Sequence, residues 1–98
     1  MQRPVLRTAD EIQNWCVRHV ADLLGESAAK IDPTADFDTL GVDSAMAVSM
    51  LLDLEEQLGN MPIPPDMLFE HGTIADVSVH LAREVARVHP EPRVEVTR

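Results

Sequence analysis

Apolar positions near the start of the chain recur at helical spacing: Ile12, Trp15, Cys16, Val20, Leu23 and Leu24, with His19 among them. Steps of i, i+3 and i+4 predict an amphipathic helix. Thr8 or Asp10 can cap its start, Asp10 and Glu11 suit its first turn, and Gly25 can close it. Residues 26–43 show no helical period and contain Pro33 and Gly41; Ile31, Phe37 and Leu40 are the expected pins to a core. A loop this long in a small domain is usually functional. A second helix is predicted from Ser44 to near Leu58, ahead of Gly59-Asn60. The prolines of Met61-Pro62-Ile63-Pro64-Pro65 forbid a helix there. Asp66 to Glu70 fits one short turn. Thr73 then caps a last helix, with Asp76 completing a capping-box-like start. Its stripe is Ile74, Val77, Leu81, Val85 and Val88, and Pro90 and Pro92 stop it. The predicted fold is all-α: three main helices, one short one and a long first loop.

The second helix carries apolar residues on two sides. At about 100° per residue, Ala47, Leu51, Leu54 and Leu58 share one face with Met50 beside them. That stripe is core. Ala45, Ser49, Leu52 and Glu56 fall opposite, with Val48 at the margin. A helix in a small bundle needs one apolar face. Val48 and Leu52 therefore point away from the core, and Met46 is expected on the exposed flank. An apolar centre with an acidic rim is the composition of a docking surface. Incidental exposure is the plainer alternative.

Composition sharpens this picture. The chain has 98 residues, eight Lys+Arg against seventeen Asp+Glu, and a net charge of −9. That length allows one domain with a small core. We place a loose lead-in at 1–7, the domain at 8–88 and a loose tail at 89–98. The ten acids between Ile31 and Asp76 meet no Lys or Arg, whereas the rest of the chain is close to balance. The acidity argues against nucleic acid and against an anionic membrane surface. It suits either simple solubility or a basic partner. One cysteine excludes an internal disulfide and a CxxC metal site. No apolar run reaches membrane-spanning length, and Met1 to Asp10 has no apolar signal-peptide region, so a cytoplasmic protein is expected.

Candidate chemistry centres on Gly41-Val42-Asp43-Ser44, where the long loop meets the second helix. Free N–H groups and the helix dipole favour an anion there. A plain N-cap serine is the alternative reading. Asp36-Phe37-Asp38 begins like an EF-hand loop, but Leu40 and Ala47 stand where ligands are needed, so no metal site is expected. Gly-x-Ser-x-Gly is absent, and no catalytic residues are assigned. Cys16 and Trp15 read as packing residues, His19 as a rim residue.

The wider string resembles the carrier-protein family, in particular the acyl carrier domains of polyketide synthases. The shared elements are Asp32-Pro33, Phe37, Leu40-Gly41-Val42-Asp43-Ser44, Ala47-Val48, Leu54-Glu55, Leu58-Gly59, Pro64-Pro65, Leu68-Phe69-Glu70 and Thr73-Ile74. The resemblance covers about residues 9–87. It implies a four-helix bundle of the acyl-carrier type, with 4′-phosphopantetheine from coenzyme A attached to Ser44. Asp43 would assist recognition by a phosphopantetheinyl transferase. Acyl or polyketide cargo would be held as a thioester and shown to a ketosynthase, an acyltransferase and other synthase enzymes. Met46, Val48, Leu52, Glu55 and Glu56 are the expected docking residues. Leu51, Leu54, Ile63 and Ile74 are the expected acyl pocket. A non-catalytic monomer is expected.

Two departures from the family pattern stand out. Ala45 replaces the usual Leu, and Met46 and Ser49 occupy positions that are often acidic. Gly41-Val42 in place of Gly-Gly favours an acyl cargo over the aminoacyl cargo of a peptidyl carrier domain in a nonribosomal peptide synthetase. An acidic helical adaptor without a prosthetic group is the reading from a different class.

Overall fold

Thr8 opens the first helix. Its hydroxyl accepts the Glu11 N–H at 3.1 Å, and the Glu11 carboxylate accepts the Thr8 N–H at 3.1 Å and the Arg7 N–H at 2.8 Å. This reciprocal box satisfies N–H groups that a helix start otherwise leaves open. Helix α1 then runs Ala9–Leu24 and closes on left-handed Gly25. The computed structural model describes residues 6–88, apart from the side chain of Phe69. The expected loose segments at 1–5 and 89–98 lie outside these residues. Leu6, which the sequence placed in the lead-in, packs partly against the core, and its N–H donates to the Gln57 carbonyl at 3.1 Å.

The long first loop is not wholly irregular. It contains a 3-10 turn, Ala28–Lys30, and a four-residue helix α2, Phe37–Leu40. Four residues are too few to show a period, which is why α2 was missed. Phe37 N–H donates to the Gly72 carbonyl at 3.1 Å, and Ala75 N–H to Pro33 at 2.9 Å. These bonds tie the loop to the start of the last helix. Ile31, Phe37 and Val42 are buried and Leu40 is half-buried. Val42 is a fourth pin that the pattern did not reveal.

Helix α3 spans Ser44–Gln57. It ends where Gly59 and Asn60 take positive φ values of 75° and 63°, a region these two residues tolerate. Beyond it, Met61 and Ile63 are buried while Pro62 and Pro64 are exposed. This alternation of extended backbone lets the proline-rich stretch cover the core without a helix. Helix α4, Met67–Glu70, is the expected short turn. Helix α5 runs Ile74–Val88, with the Asp76 N–H donating to the Thr73 hydroxyl at 3.1 Å.

Helix α1 packs most closely on α5, and also on the 3-10 turn and α3. Ile12, Cys16 and Val20 meet a core of Met50, Leu54, Leu58, Ile74, Val77, Leu81 and Val85. Burying each larger apolar side chain contributes roughly 1.5–3 kcal/mol. Burial also pushes the Cys16 thiol up to about 12, so it stays protonated and acts as a small apolar residue. Among the described residues no helix is long and apolar enough to cross a membrane.

Candidate functional site

The site is built where α2 hands the chain to α3. Gly41 ends α2 with φ 91°, a conformation that strains any residue bearing a Cβ. Its N–H donates to the Asp38 carbonyl, and the Val42 N–H to the Phe37 carbonyl at 3.0 Å. Val42 is thereby turned inward and buried, which fixes the two residues that follow.

Asp43 has an extended backbone and is the N-cap of α3: its Oδ1 accepts the Met46 N–H at 2.9 Å. Ser44 is the first helical residue and is exposed. The helix starts at Ser44 as expected, and the alternative reading of Ser44 as a plain N-cap does not hold. Asp43 does the capping, so Ser44 presents its hydroxyl to solvent beside a helix start where an anion is favoured.

A cleft of about 300 Å³ opens beside Ser44. Phe37, Val42, Ala47, Val48, Pro65 and Leu68 are its apolar lining residues, and Asp36, Asp38 and Asp43 also border it. The expected acyl-pocket residues are elsewhere. Leu51, Leu54 and Ile74 are buried in the packed core, Ile63 is buried beside a separate cavity, and none of the four lines this cleft. Helical period separated the inner face from the outer one, but it does not tell where packing leaves a gap.

The docking residues divide. Val48 is 40% exposed and Leu52 59%, and Glu56 is exposed beside them. Met46 is corrected: it is half-buried and packs against the core instead of standing free on the flank. Glu55 is also half-buried, and its Oε2 accepts the Ile63 N–H at 2.8 Å. It holds the proline-rich stretch onto α3, so it is not a freely presented rim acid. Exposed Asp53, on the same helix, lies 3.4 Å from His19 Nε2 on α1, without hydrogen-bond geometry. The His19 ring stacks on Trp15, with centroids 4.7 Å apart. No group of three or more His, Cys, Asp or Glu among the described residues is arranged to hold a metal.

The family model described as a phosphopantetheine attachment site matches residues 15–81. The chain is 32% identical over 75 residues to the phenolphthiocerol synthesis polyketide synthase type I of Mycobacterium bovis, covering 76% of this chain and 4% of that one. It is 36% identical over 52 residues to the acyl carrier protein TtuC of Teredinibacter turnerae, covering 53% of this chain and 60% of that one. It therefore spans a small fraction of the synthase and under two thirds of TtuC. Among solved structures, a free-standing peptidyl carrier protein from an Acinetobacter baumannii secondary metabolic pathway superposes with a TM-score of 0.74 at 27% identity, covering 80% of this chain and 96% of that one.

Proposed function

The chain belongs to the phosphopantetheine-attachment family of carrier domains, which hold a covalent 4′-phosphopantetheine, and on that premise we propose that Ser44 is its attachment residue and that its pathway is polyketide assembly. The observation that carries this reading is the exposed Ser44 at the first position of α3, with Asp43 already committed to the cap.

The residues fit the group. Ser44 offers an exposed hydroxyl, the start of α3 stabilises an anion by about 0.3–1 kcal/mol, and the adjoining cleft has room for part of an attached chain. When bound, the arm supplies a terminal thiol that holds acyl cargo as a thioester. The chain's own residues position that arm. Buried Val42 and the Asp43 cap fix the place of Ser44, and Val48, Leu52 and Glu56 form the exposed face beside it. A phosphopantetheinyl transferase, a ketosynthase and an acyltransferase are the proposed partners. The carrier performs no catalysis of its own and works in the cytoplasm. Likeness to polyketide synthases and TtuC supports an acyl cargo. Likeness to a peptidyl carrier protein supports a second reading, in which the cargo is aminoacyl.

Incubation with coenzyme A and a broad-specificity phosphopantetheinyl transferase tests the attachment. The wild type should gain the mass of phosphopantetheine and Ser44→Ala should not. A gain that survives Ser44→Ala, or no gain on the wild type, defeats the proposal. Offering acyl and aminoacyl coenzyme A separately to partner enzymes of each type then distinguishes the two cargoes.

A further inference from the structure

Two histidines outside the Ser44 cleft meet face to face. His71 caps the end of α4 and His80 lies within α5. Both are half-buried, and their rings stack with centroids 4.6 Å apart and planes 29° apart. His71 is also tied to its own helix, its N–H donating to the Met67 carbonyl at 2.9 Å. The next residue, Gly72, gives its carbonyl to the Phe37 N–H at 3.1 Å. Phe37 in turn accepts the Val42 N–H at 3.0 Å, and Val42 directly precedes Asp43 and Ser44. Beside this line Asp36 pairs with Thr73 in an isolated antiparallel bridge. The stack thus stands at one end of an unbroken path of ring contact, peptide bonds and hydrogen bonds, and Ser44 stands at the other.

We propose that His71 and His80 are positioning residues for Ser44: their stack fixes Gly72 against α2, and protonation of both rings releases it. The proposal rests on the reading that Ser44 carries the arm. A four-residue helix is too short to hold itself, so α4 needs an anchor at its end. Two rings in contact supply one through dispersion, and a single charge does not undo it. Histidine changes charge between about pH 5 and 8. With both rings charged, two cations stand 4.6 Å apart and repel. The other charges nearby are few. On α5, Asp76 and Glu84 lie one turn either side of His80, with Arg83 between. Glu70 precedes His71, and Asp36 lies against Gly72. Glu84 is already paired with Arg87, while Asp36, Glu70 and Asp76 are exposed and screened by solvent. The proline-rich stretch facing His80 across the second cavity lines it with Met61, Pro62, Ile63, Pro64 and, at the start of α4, Met67, none of them charged. These surroundings accommodate one charge better than two. Once the stack opens, Gly72 loses its support and Ser44 spends less time in the form that a transferase meets.

The test begins with coenzyme A and the transferase at neutral pH. No mass gain on the wild type defeats the attachment reading alone, because the titration that follows needs no arm. Amide and imidazole signals of the apo chain are followed by NMR from about pH 8 to about pH 5, short of the range near ~4 where free carboxylates titrate. The Phe37, Val42, Ser44 and Gly72 amides should move with the His71 and His80 ring signals. In His71→Phe and in His80→Phe, which keep a ring and remove one charge, those amides should no longer follow the remaining histidine. Attachment kinetics supply the second readout. His71→Ala should raise the KM for the carrier by about fivefold with kcat unchanged, since fewer molecules are competent at any moment. His71→Phe should restore the wild-type KM. If His71→Ala fails to fold, the wild-type titration and the two Phe variants decide. Amides near Ser44 that stay still through the histidine titration, or that move equally in the Phe variants, would overturn the proposal and leave attachment at Ser44 intact. A wild-type KM in folded His71→Ala would do the same.

Discussion

The starts of α1 and α3 solve the same problem with opposite use of their hydroxyls. At α1 the Thr8 hydroxyl is committed to the Glu11 N–H, and Glu11 answers with its carboxylate. At α3 the aspartate one residue earlier takes the capping role, and the Ser44 hydroxyl is left at the exposed first position. Both helices are capped, but only the second has a nucleophile to spare at its start. The difference shows how one added acid converts a structural serine into a chemically usable one.

The comparison can be broken at either end. The largest loss of stability is expected from Asp43→Ala, which removes both the bond to Met46 N–H and a favourable charge at the helix start. It should cost about 1–2 kcal/mol, measured by urea unfolding, and should also slow attachment by the transferase. Thr8→Ala should cost about 1 kcal/mol or less, because the Glu11 carboxylate keeps its bonds from Arg7 and Thr8 N–H. Attachment should proceed at the wild-type rate. Ser44→Ala should change stability by no more than about 0.5 kcal/mol while abolishing attachment, since its hydroxyl is not the cap. A loss from Ser44→Ala as large as that from Asp43→Ala would mean that the two residues share the capping role.

The smallest effect concerns pH. The backbone N–H groups of Arg7 and then Thr8 hold the Glu11 carboxyl below its ordinary value of 4.5. A lowered folded value favours the ionised form, so this stabilisation is present above the ordinary value and is lost as pH falls through the folded one. The start of α1 should therefore fray in acid, seen as a shift of the Thr8 and Glu11 amide signals. Glu11→Gln should remove that dependence.

The long helices were legible because local signals agreed. The stripes Ile12-Cys16-Val20 and Ile74-Val77-Leu81 carry the helical period, and Thr8, Gly25 and Thr73 mark three of the ends. The start of α3 at Ser44 was legible, but its capping residue was not, because both Asp43 and Ser44 are good capping residues. The choice between them is made by the burial of Val42, a tertiary fact. Glu55 was misjudged for a similar reason: Glu55 and Glu56 are alike in sequence, but only Glu55 is placed to reach the Ile63 N–H. The extended stretch around Ile63, flanked by two prolines, was the available hint that this N–H needed a side-chain partner. The family motif pointed to Ser44, while the cleft beside it depends on α2 and α4 folding across α3, which no local pattern records.

The central claim is that Ser44, freed by Asp43, is the one hydroxyl prepared for attachment. Site mapping of the coenzyme A-treated wild type by tandem mass spectrometry tests it most directly, because Thr34, Thr39 and Ser49 lie nearby in the sequence. Digestion at acidic residues parts Thr34 and Thr39 from the peptide that holds Ser44 and Ser49, and backbone fragmentation between those two serines then assigns the site, on a stretch that has no Lys or Arg. The account expects the phosphopantetheine on Ser44 alone. Finding it on Thr39 or Ser49, or on several hydroxyls at once, would contradict it.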